Sequence, residues 1–198
     1  GYCALRSNTT GTRNAAVGFL SLRLNTVGDK NTAVGFCSLQ ANTSGFRNTA
    51  VGDLALRDNT TGANNDAFGY AALISNTTGT FNTAIGTNAL GNNLVGSNNV
   101  AVGYLSLYKN TASNNTSVGF QALRENTASN NTALGFCALR SNTTGTNNTA
   151  VGYIALRDTT VGVNNTAVGL GALQKNTSGT RNTALGTFAL ICNTTSTN

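Results

Sequence analysis

The chain has 198 residues, of which 39% are hydrophobic and 9% are charged, and its formal net charge is +6. It contains 23 glycines but no His, Pro, Trp or Met. The lack of His removes the commonest general base and metal ligand, and so few charges are untypical of a disordered tail. We therefore expect no enzyme activity, no cofactor and no metal site. No apolar run approaches the length of a membrane span.

A repeat that starts with glycine, usually followed by an aromatic residue, fills the whole chain. Its idealised form is G-[YF]-x-A-L-R-x-N-T-T-G-x-N-N-T-A-V, and positions 1 to 17 below refer to this unit. A period of this length is typical of solenoids and fibrous arrays. We expect residues 1–198 to be one continuous array and part of a longer chain. The units begin at Gly1, Gly18, Gly35, Gly52, Gly69, Gly86, Gly103, Gly119, Gly135, Gly152, Gly169 and Gly186.

Each unit is predicted to contain, in chain order, a short segment around A-L-R, a polar turn N-T-T-G-x-N-N and a β-strand around T-A-V-G-[YF]. Seventeen residues suffice for one coil of a β-helix or β-roll and are few for a strand plus a helix. The predicted fold is an all-β, parallel β-solenoid of twelve coils, which extends for roughly 58 Å at a coil spacing of about 4.8 Å. A single helical turn at A-L-R is the alternative for that segment.

The interior is predicted at positions 4, 5, 16 and 17. Position 5 is always Leu, positions 4 and 16 hold Ala or Ser, and position 17 holds Val, Ile, Leu or Phe. Identical side chains can fill a dry seam uniformly from coil to coil. The aromatic residues at position 2 either complete this core or form a seam between chains. The predicted core ladder comprises Leu5, Leu22, Leu39, Leu56, Leu73, Leu90, Leu107, Leu123, Leu139, Leu156, Leu173 and Leu190, with Val17, Val34, Val51 and Val151 at position 17.

Asn is predicted to form the corners of the coils, because it tolerates left-handed backbone and bonds to nearby backbone groups. Stacked Asn side chains can also bond to one another along the axis. Gly at position 11 is expected to supply a positive φ in the turn, and the two 16-residue units shorten this turn. The Asn ladder at position 14 comprises Asn14, Asn31, Asn48, Asn65, Asn82, Asn99, Asn115, Asn131, Asn148, Asn165 and Asn182.

Four cysteines are too far apart along the predicted axis for disulfides within the chain. Cys3, Cys37 and Cys137 all occupy position 3, where other units carry Leu, and Cys192 occupies position 7. The three at position 3 are therefore either free thiols in the core or interchain contacts in an oligomer.

Two surface features could bind or carry other molecules. Arg124, Arg140 and Arg157 share position 6 and are predicted to form a basic ladder that contacts polyanions, although a solvated face is the alternative. No nucleic acid is expected as a partner, because no aromatic residues suited to base stacking alternate with the basic ones. Sequons in the predicted exposed turns are candidate glycan attachment sites: Asn8, Asn42, Asn59, Asn76, Asn142, Asn147, Asn164 and Asn176.

The motif N-T-A-V-G-[YF]-x-[AS]-L, with N-T-T-G-x-N-N-T-A-V-G, is clearest from Asn142 to Leu156 and from Asn31 to Leu39. It resembles repeats of phage and virus tail-fibre proteins and of bacterial surface proteins. It is also similar to the shorter N-S-V-A-I-G units in the heads of YadA-type trimeric autotransporter adhesins. This resemblance implies a left-handed parallel β-roll in which three chains associate.

The sequence thus predicts a structural shaft of an extracellular, cell-surface or virion fibre that self-associates as a homotrimer and acts as a stiff spacer. A single-chain solenoid is the alternative to the trimer. A carbohydrate-binding repeat module is the alternative function. Ice binding is a third candidate, disfavoured because the Thr residues are predicted in turns and no flat T-x-T strand recurs.

Overall fold

The computed structural model describes residues 1–197 and shows an all-β, parallel β-solenoid. These residues form eleven strands and about ten turns of about 17 residues each. Every strand has three residues and starts at position 15 of the repeat. The strands are β1 Ala15–Val17, β2 Thr32–Val34, β3 Thr49–Val51, β4 Asp66–Phe68, β5 Thr83–Ile85, β6 Val100–Val102, β7 Thr116–Val118, β8 Thr132–Leu134, β9 Thr149–Val151, β10 Thr166–Val168 and β11 Thr183–Leu185.

The chain divides into two compact units between Asn99 and Val100. In the first unit, β1 to β5 pair in sequence order as a parallel sheet. In the second unit, β6 to β11 do the same. Equivalent repeat positions face each other in every pair, as Ala133 faces Ala150, so each coil places the same side chain above the same side chain.

Position 16 of each strand points inward and positions 15 and 17 point outward. From Ala33 to Ala167, the inward residue of each strand is completely buried. Seven of the residues at position 17, Val17 and Val34 among them, are instead 36–78% exposed. The prediction that Val17, Val34, Val51 and Val151 lie in the core ladder is therefore wrong, although Val51 and Val151 are half-buried. Side chains in a strand alternate between its two faces, so positions 16 and 17 cannot both face the interior.

The predicted Leu ladder does form the core. All of its members from Leu22 to Leu173 are completely buried, whereas Leu5 is half-buried and Leu190 is exposed. These leucines have φ values of 49–54°, a left-handed conformation that costs a non-glycine residue roughly 1–2 kcal/mol. Burying a Leu side chain contributes about 1.5–3 kcal/mol, which offsets this strain.

The A-L-R segment is a series of tight turns and not the helical turn considered above. In the coil that starts at Gly52, Ala55 N–H donates to Gly52 O and Arg57 N–H donates to Leu54 O. Positive φ at Leu54 and Leu56 permits these two successive turns. The turns bring both the Ala and the Leu of this segment into the interior.

The two glycine positions have different roles. Gly135 and its equivalents at position 1 from Gly18 to Gly186 have positive φ, 137° for Gly135 itself, and a Cβ on Gly135 would collide with the backbone of Gly152 in the next coil. Gly45 at position 11 does not have a positive φ, so the predicted reason for glycine at this position is wrong. A Cβ on Gly45 would instead collide with Gly62 O and with the Asn42 side chain. Close packing between coils therefore requires glycine at position 11.

The Asn residues at positions 8 and 14 are buried columns and not exposed corners. Asn48 is typical: its N–H donates to Asn31 Oδ1 at 3.0 Å, and its Nδ2 donates to Gly62 O at 2.8 Å. Its own Oδ1 accepts from the backbone N–H of Asn65 at 3.0 Å. The predicted bonding between stacked Asn side chains is present as well, because Asn48 Nδ2 also donates to Asn31 Oδ1 at 3.2 Å. Together these bonds satisfy buried polar groups that the short strands leave unpaired. The left-handed backbone expected of these residues lies one position earlier, as at Lys30 and Arg47.

The shortened turns of the two 16-residue coils keep the hydrogen bond between the position-8 Asn side chain and a carbonyl group of the turn. In ordinary coils, Nδ2 of the position-8 Asn donates to the glycine carbonyl three residues later, as in Asn142 to Gly145 at 2.9 Å. In the second short coil, Asn126 Nδ2 donates to Ala128 O, two residues later, at 2.6 Å. The missing residue is thus absorbed in the turn, and the strands stay in register.

Candidate functional site

Two outward columns form an apolar surface along the second unit, and in the first unit exposed Asp53 at position 2 interrupts it. We call these columns the apolar strip: the mostly aliphatic residues at position 17 and the mostly aromatic residues at position 2, which one glycine separates in the sequence. In the second unit, no charged residue lies in the strip between residues 100 and 197. Val100, at position 15 beside the strip, is also exposed. The most exposed members of the strip in this unit are Tyr104, Val118, Phe120, Leu134, Phe136, Tyr153, Leu170 and Leu185.

Aromatic rings of the strip stack on one another in each unit. Tyr104, Phe120, Phe136 and Tyr153 have successive ring centroids 5.1–5.4 Å apart and interplanar angles of 5–21°. Tyr2, Phe19 and Phe36 form the equivalent stack in the first unit. Phe120 and Phe136 each have a ring on either side, so their faces contact neighbouring rings. The rings do not complete the core, because all of them are more than 40% exposed.

A column of threonines lies beside the strip at position 15. In the second unit it includes Thr116, Thr132, Thr149, Thr166 and Thr183, which face one another in register. Within residues 1–197, none of their five hydroxyl groups donates or accepts a hydrogen bond. The threonines at position 9 differ, since Thr60 Oγ1, for example, donates to Thr77 O at 3.0 Å. The position-15 hydroxyls are therefore available to solvent or a partner.

Three cations lie on successive coils of the first unit. We call Arg13, Lys30 and Arg47 the basic column; all three occupy position 13 and are exposed. The backbone N–H of Lys30 donates to Thr12 O of the preceding coil, and that of Arg47 donates to Asp29 O. None of the three side chains forms an ion pair with another residue of the described chain.

A cleft of about 250 Å³ runs beside the basic column. Lys30 and Arg47 line it together with Val27 and Phe46, and the Arg47 guanidinium lies 5.7 Å from the centroid of the Phe46 ring. Asp29 also borders the cleft, but Asp29 Oδ1 accepts from Thr12 N–H at 2.6 Å and from Thr12 Oγ1 at 3.1 Å. These hydrogen bonds, with nearby Lys30 and Arg13, lower the pKa of Asp29.

The predicted arginine ladder is close to acidic residues. Arg157 Nε contacts Asp158 Oδ1 at 2.8 Å, and Glu125 contacts both Lys109 at 2.6 Å and Arg124 at 3.5 Å. The hydrogen bonds that Arg157 donates to the Asp158 carboxylate raise the pKa of Arg157. Arg124, Arg140 and Arg157 lie on successive coils and are all half-buried, but two of these three charges are balanced locally. A polyanion contact at these residues stays a prediction.

Most candidate glycan sites are inaccessible. Asn42, Asn59, Asn76, Asn142 and Asn176 are completely buried in the position-8 column, so the prediction that these sequons lie in exposed turns is wrong. Their amide groups bond to the neighbouring coil and the turn carbonyl, and a glycan could attach only if the coils separated. Asn8 is half-buried, whereas Asn147 and Asn164 are exposed at position 13.

All four cysteines are free thiols. Cys37 and Cys137 are buried, in agreement with a core role at position 3, Cys3 is half-buried and Cys192 is exposed. Burial raises the pKa of the Cys37 and Cys137 thiols. In the described part of the chain, His, Cys, Asp and Glu form no group of three or more that could hold a metal ion. Nor does residue range 1–197 contain a helix long and apolar enough to cross a membrane.

Comparison with known proteins gives no match among family models, curated proteins or solved structures. Function must therefore be argued from the surface itself. Sequence reasoning named the aromatic residues at position 2 as a candidate seam between chains but missed the position-17 column of the strip, because it assigned position 17 to the core. The period-2 alternation of T-A-V, with Ala inside, is the signal that could have revealed it.

Proposed function

We propose that this chain is a structural segment of an extracellular, cell-surface or virion fibre, and that copies associate through the apolar strip as a homotrimer. The observation that carries this proposal is the exposed, uncharged strip of the second unit. Its eight most exposed side chains, with areas of about 150–200 Å² of which roughly two fifths are exposed, present on the order of 600 Å² of apolar surface. Exposed patches above a few hundred Å² mark interaction sites.

A second copy of the chain is the partner that this surface fits best. Its area approaches the roughly 800 Å² per partner of a stable interface. A second copy also has the same coil spacing, so side chains can interdigitate along the whole strip. Because each chain carries a net charge of +6, association requires an uncharged face that keeps the cations apart. The resemblance to YadA-type heads supports three chains over two.

The geometry of the ring stack disfavours a neutral sugar as the occupant of the strip. A pyranose ring packs on the face of an aromatic ring, but the faces of Phe120 and Phe136 are already shared with neighbouring rings. Ring edges and aliphatic side chains remain, and these pack well against other apolar side chains.

The proposed mechanism is mechanical. Twelve sequence repeats would each contribute one coil to a continuous array, and the hydrogen bonds between coils would make it stiff. The array would act as a spacer for whatever adjoins it and would have no enzyme activity, no cofactor and no nucleic-acid partner. The stacked coils and the repeated hydrogen bonds between them support this role.

The oligomeric state of Phe120→Thr/Phe136→Thr tests the proposal. Thr occurs naturally at position 2, as Thr87 and Thr187, so the substitution preserves the coil while removing the centre of the strip. Light scattering and native mass spectrometry should show a trimer for the unchanged chain and a monomer for the double variant. Phe81→Asn is the control, since Phe81 is 60% exposed but lies at position 13. A monomeric unchanged chain would falsify the proposal.

One observation favours ice binding as a second candidate function. The sequence argument against it was that the Thr residues lie in turns and that no flat T-x-T strand recurs. Thr132, Thr149, Thr166 and Thr183 nevertheless lie on strands, with unbonded hydroxyls beside a regular aliphatic column. Such an array could order water at two regular spacings, about 4.8 Å between coils and about 6.6 Å along a strand. Thermal hysteresis in the unchanged chain that Thr149→Lys abolishes would support this function. Absence of hysteresis at millimolar concentration would exclude it.

A further inference from the structure

We propose that the basic column Arg13, Lys30 and Arg47 is a binding site for a linear anionic polysaccharide, one that carries a carboxylate or sulfate group on successive sugars. This function is independent of self-association, because the column lies at position 13 of the first unit and outside the apolar strip. The ligand would lie along the column, with its sugar rings against the neighbouring cleft.

The cations occupy a position where the fold favours another residue. Position 13 has a left-handed backbone, with φ of 54–57° at the three cations, and Asn adopts this conformation more readily than Arg or Lys. Asn is the residue in six other coils: Asn64, Asn98, Asn114, Asn130, Asn147 and Asn164. Three consecutive cations are therefore less favourable for the local backbone than three Asn residues would be.

Electrostatic repulsion between the three cations is a second unfavourable effect, because they lie on successive coils. Neighbouring coils are about 4.8 Å apart, and like charges directly opposite each other on adjacent strands repel. None of the three cations has an ion-pair partner among residues 1–197. The nearby Asp29 carboxylate attracts Lys30 and Arg13, but its single negative charge balances only one of the three positive charges. An anionic ligand would relieve this repulsion, and a linear one would relieve it on all three coils at once.

The surroundings of the column indicate a sugar-based polyanion. The coil spacing is close to the length of one pyranose unit, so successive anionic sugars can meet successive cations. The cleft beside Lys30 and Arg47 also has an apolar wall, formed by Val27 at 51% and Phe46 at 43% exposure. The C–H face of a pyranose can pack on such a wall while Ser44 provides a hydroxyl group. A small inorganic anion would use none of the apolar surface.

The arginine ladder of the second unit provides a matched control. Arg124, Arg140 and Arg157 are also three stacked cations, but two of them have acidic neighbours. Arg13→Asn/Lys30→Asn/Arg47→Asn introduces the residue found at position 13 in other coils. Arg124→Gln/Arg140→Gln/Arg157→Gln introduces the residue found at position 6 as Gln40 and Gln174. The two triple variants lose the same charge, and each introduces residues that occur naturally at the same position in other coils.

The test is fluorescence anisotropy with labelled oligogalacturonate, a sulfated glycosaminoglycan oligosaccharide, a neutral cello-oligosaccharide and single-stranded DNA. The unchanged chain should bind one or both anionic sugars in a salt-sensitive manner and should not bind the neutral one. The position-13 triple variant should bind at least about tenfold more weakly, and the position-6 variant should change by less than about twofold. Oligogalacturonate and the sulfated sugar distinguish carboxylate from sulfate recognition.

Three outcomes would overturn the assignment. Equal losses in both triple variants would show attraction to net charge alone, and an unchanged affinity in the position-13 variant would show that the column is not the site. Tighter binding of DNA than of either anionic sugar would assign the column to nucleic acid. Circular dichroism of each variant shows whether the fold is intact. The oligomeric state of each variant is measured as well, so that a loss of polysaccharide binding can be told apart from a loss of self-association.

Discussion

Thr159 is the one interruption of the position-8 Asn column between Asn25 and Asn176. It is completely buried, and its Oγ1 has no hydrogen-bond partner. Asn142 Oδ1, which would accept from residue 159, also lacks a partner, whereas Asn42 Oδ1 accepts from Asn59 Nδ2 at 2.9 Å in an intact part of the column. The Thr side chain is shorter than that of Asn and has no amide group, so the hydrogen bonds between stacked Asn side chains are interrupted at this coil.

Thr159→Asn should therefore stabilise the protein. Asn at position 159 could donate to Asn142 Oδ1 and Gly162 O and could accept from Asn176 Nδ2. Satisfying these groups should raise the free energy of unfolding by about 1–3 kcal/mol, measured by urea denaturation. The reciprocal change Asn59→Thr creates the same interruption elsewhere and should lower it by a similar amount. A destabilised Thr159→Asn variant would mean that the column is not a source of stability.

Burial of two thiols predicts that stability falls at alkaline pH. The pKa of Cys37 and of Cys137 is raised above the ordinary 9.0 because burial disfavours the thiolate. Near and above pH 9 the unfolded chain loses these protons while the native chain keeps them, so the free energy of unfolding decreases as pH rises. Well below pH 9 both thiols are protonated in the native and in the unfolded chain, so their titration does not reduce the free energy of unfolding there.

Urea denaturation from pH 7 to 10 measures this effect. Cys37→Leu/Cys137→Leu introduces the residue found at position 3 as Leu20 and Leu54 and should show a smaller loss between pH 8 and 10. Alkylation at pH 8 should label exposed Cys192 in the native protein and should label Cys37 and Cys137 only after unfolding. Parallel pH curves for the variant and the unchanged chain would contradict the prediction.

The elements of this fold differ sharply in their tolerance of length. Coils of 16 and 17 residues coexist because the turn after position 8 can lose a residue while the Asn side chain still reaches a turn carbonyl. The strand has no such freedom, since a shift of one residue moves every side chain to the opposite face.

Inserting one glycine between Thr127 and Ala128 should thus restore a 17-residue coil at a cost below about 1 kcal/mol. The same glycine inserted between Ala133 and Leu134 should cost more than about 4 kcal/mol, because it breaks the pairing of β8 and places Leu134 on the wrong face. Thermal and urea unfolding of the two insertion variants measure the difference. Equal stability would show that strand register does not determine the fold.

At the scale of the whole molecule, each coil contacts mainly its neighbours, as expected for a solenoid. Deleting residues 135–151 removes one complete coil and joins Leu134 to Gly152 in register. The shortened chain should fold, and the slope of its urea unfolding curve should decrease by about a tenth, in proportion to the residues removed. Deleting residues 135–150 leaves one extra residue before Gly152 and should abolish cooperative unfolding. If both deletions fold equally well, repeat register is not required.

The sequence by itself determined the β-solenoid, the buried Leu ladder and the bonding between stacked Asn side chains. These features follow from the period, because an invariant side chain at a fixed spacing has the same environment in every coil. The sequence also predicted that the four cysteines form no disulfide within the chain, and all four are free thiols in the structure.

Only the tertiary structure decided which side of the coil each position faces. Val17 and its equivalents are outside because the neighbouring Ala is inside, and a three-residue strand is too short for hydrophobicity alone to show which face is buried. Asn42 is buried in spite of its sequon, because its amide completes the hydrogen bonds of the next coil. Leu39 adopts a left-handed backbone that its own propensity disfavours, because packing between coils stabilises it by more than that conformation costs.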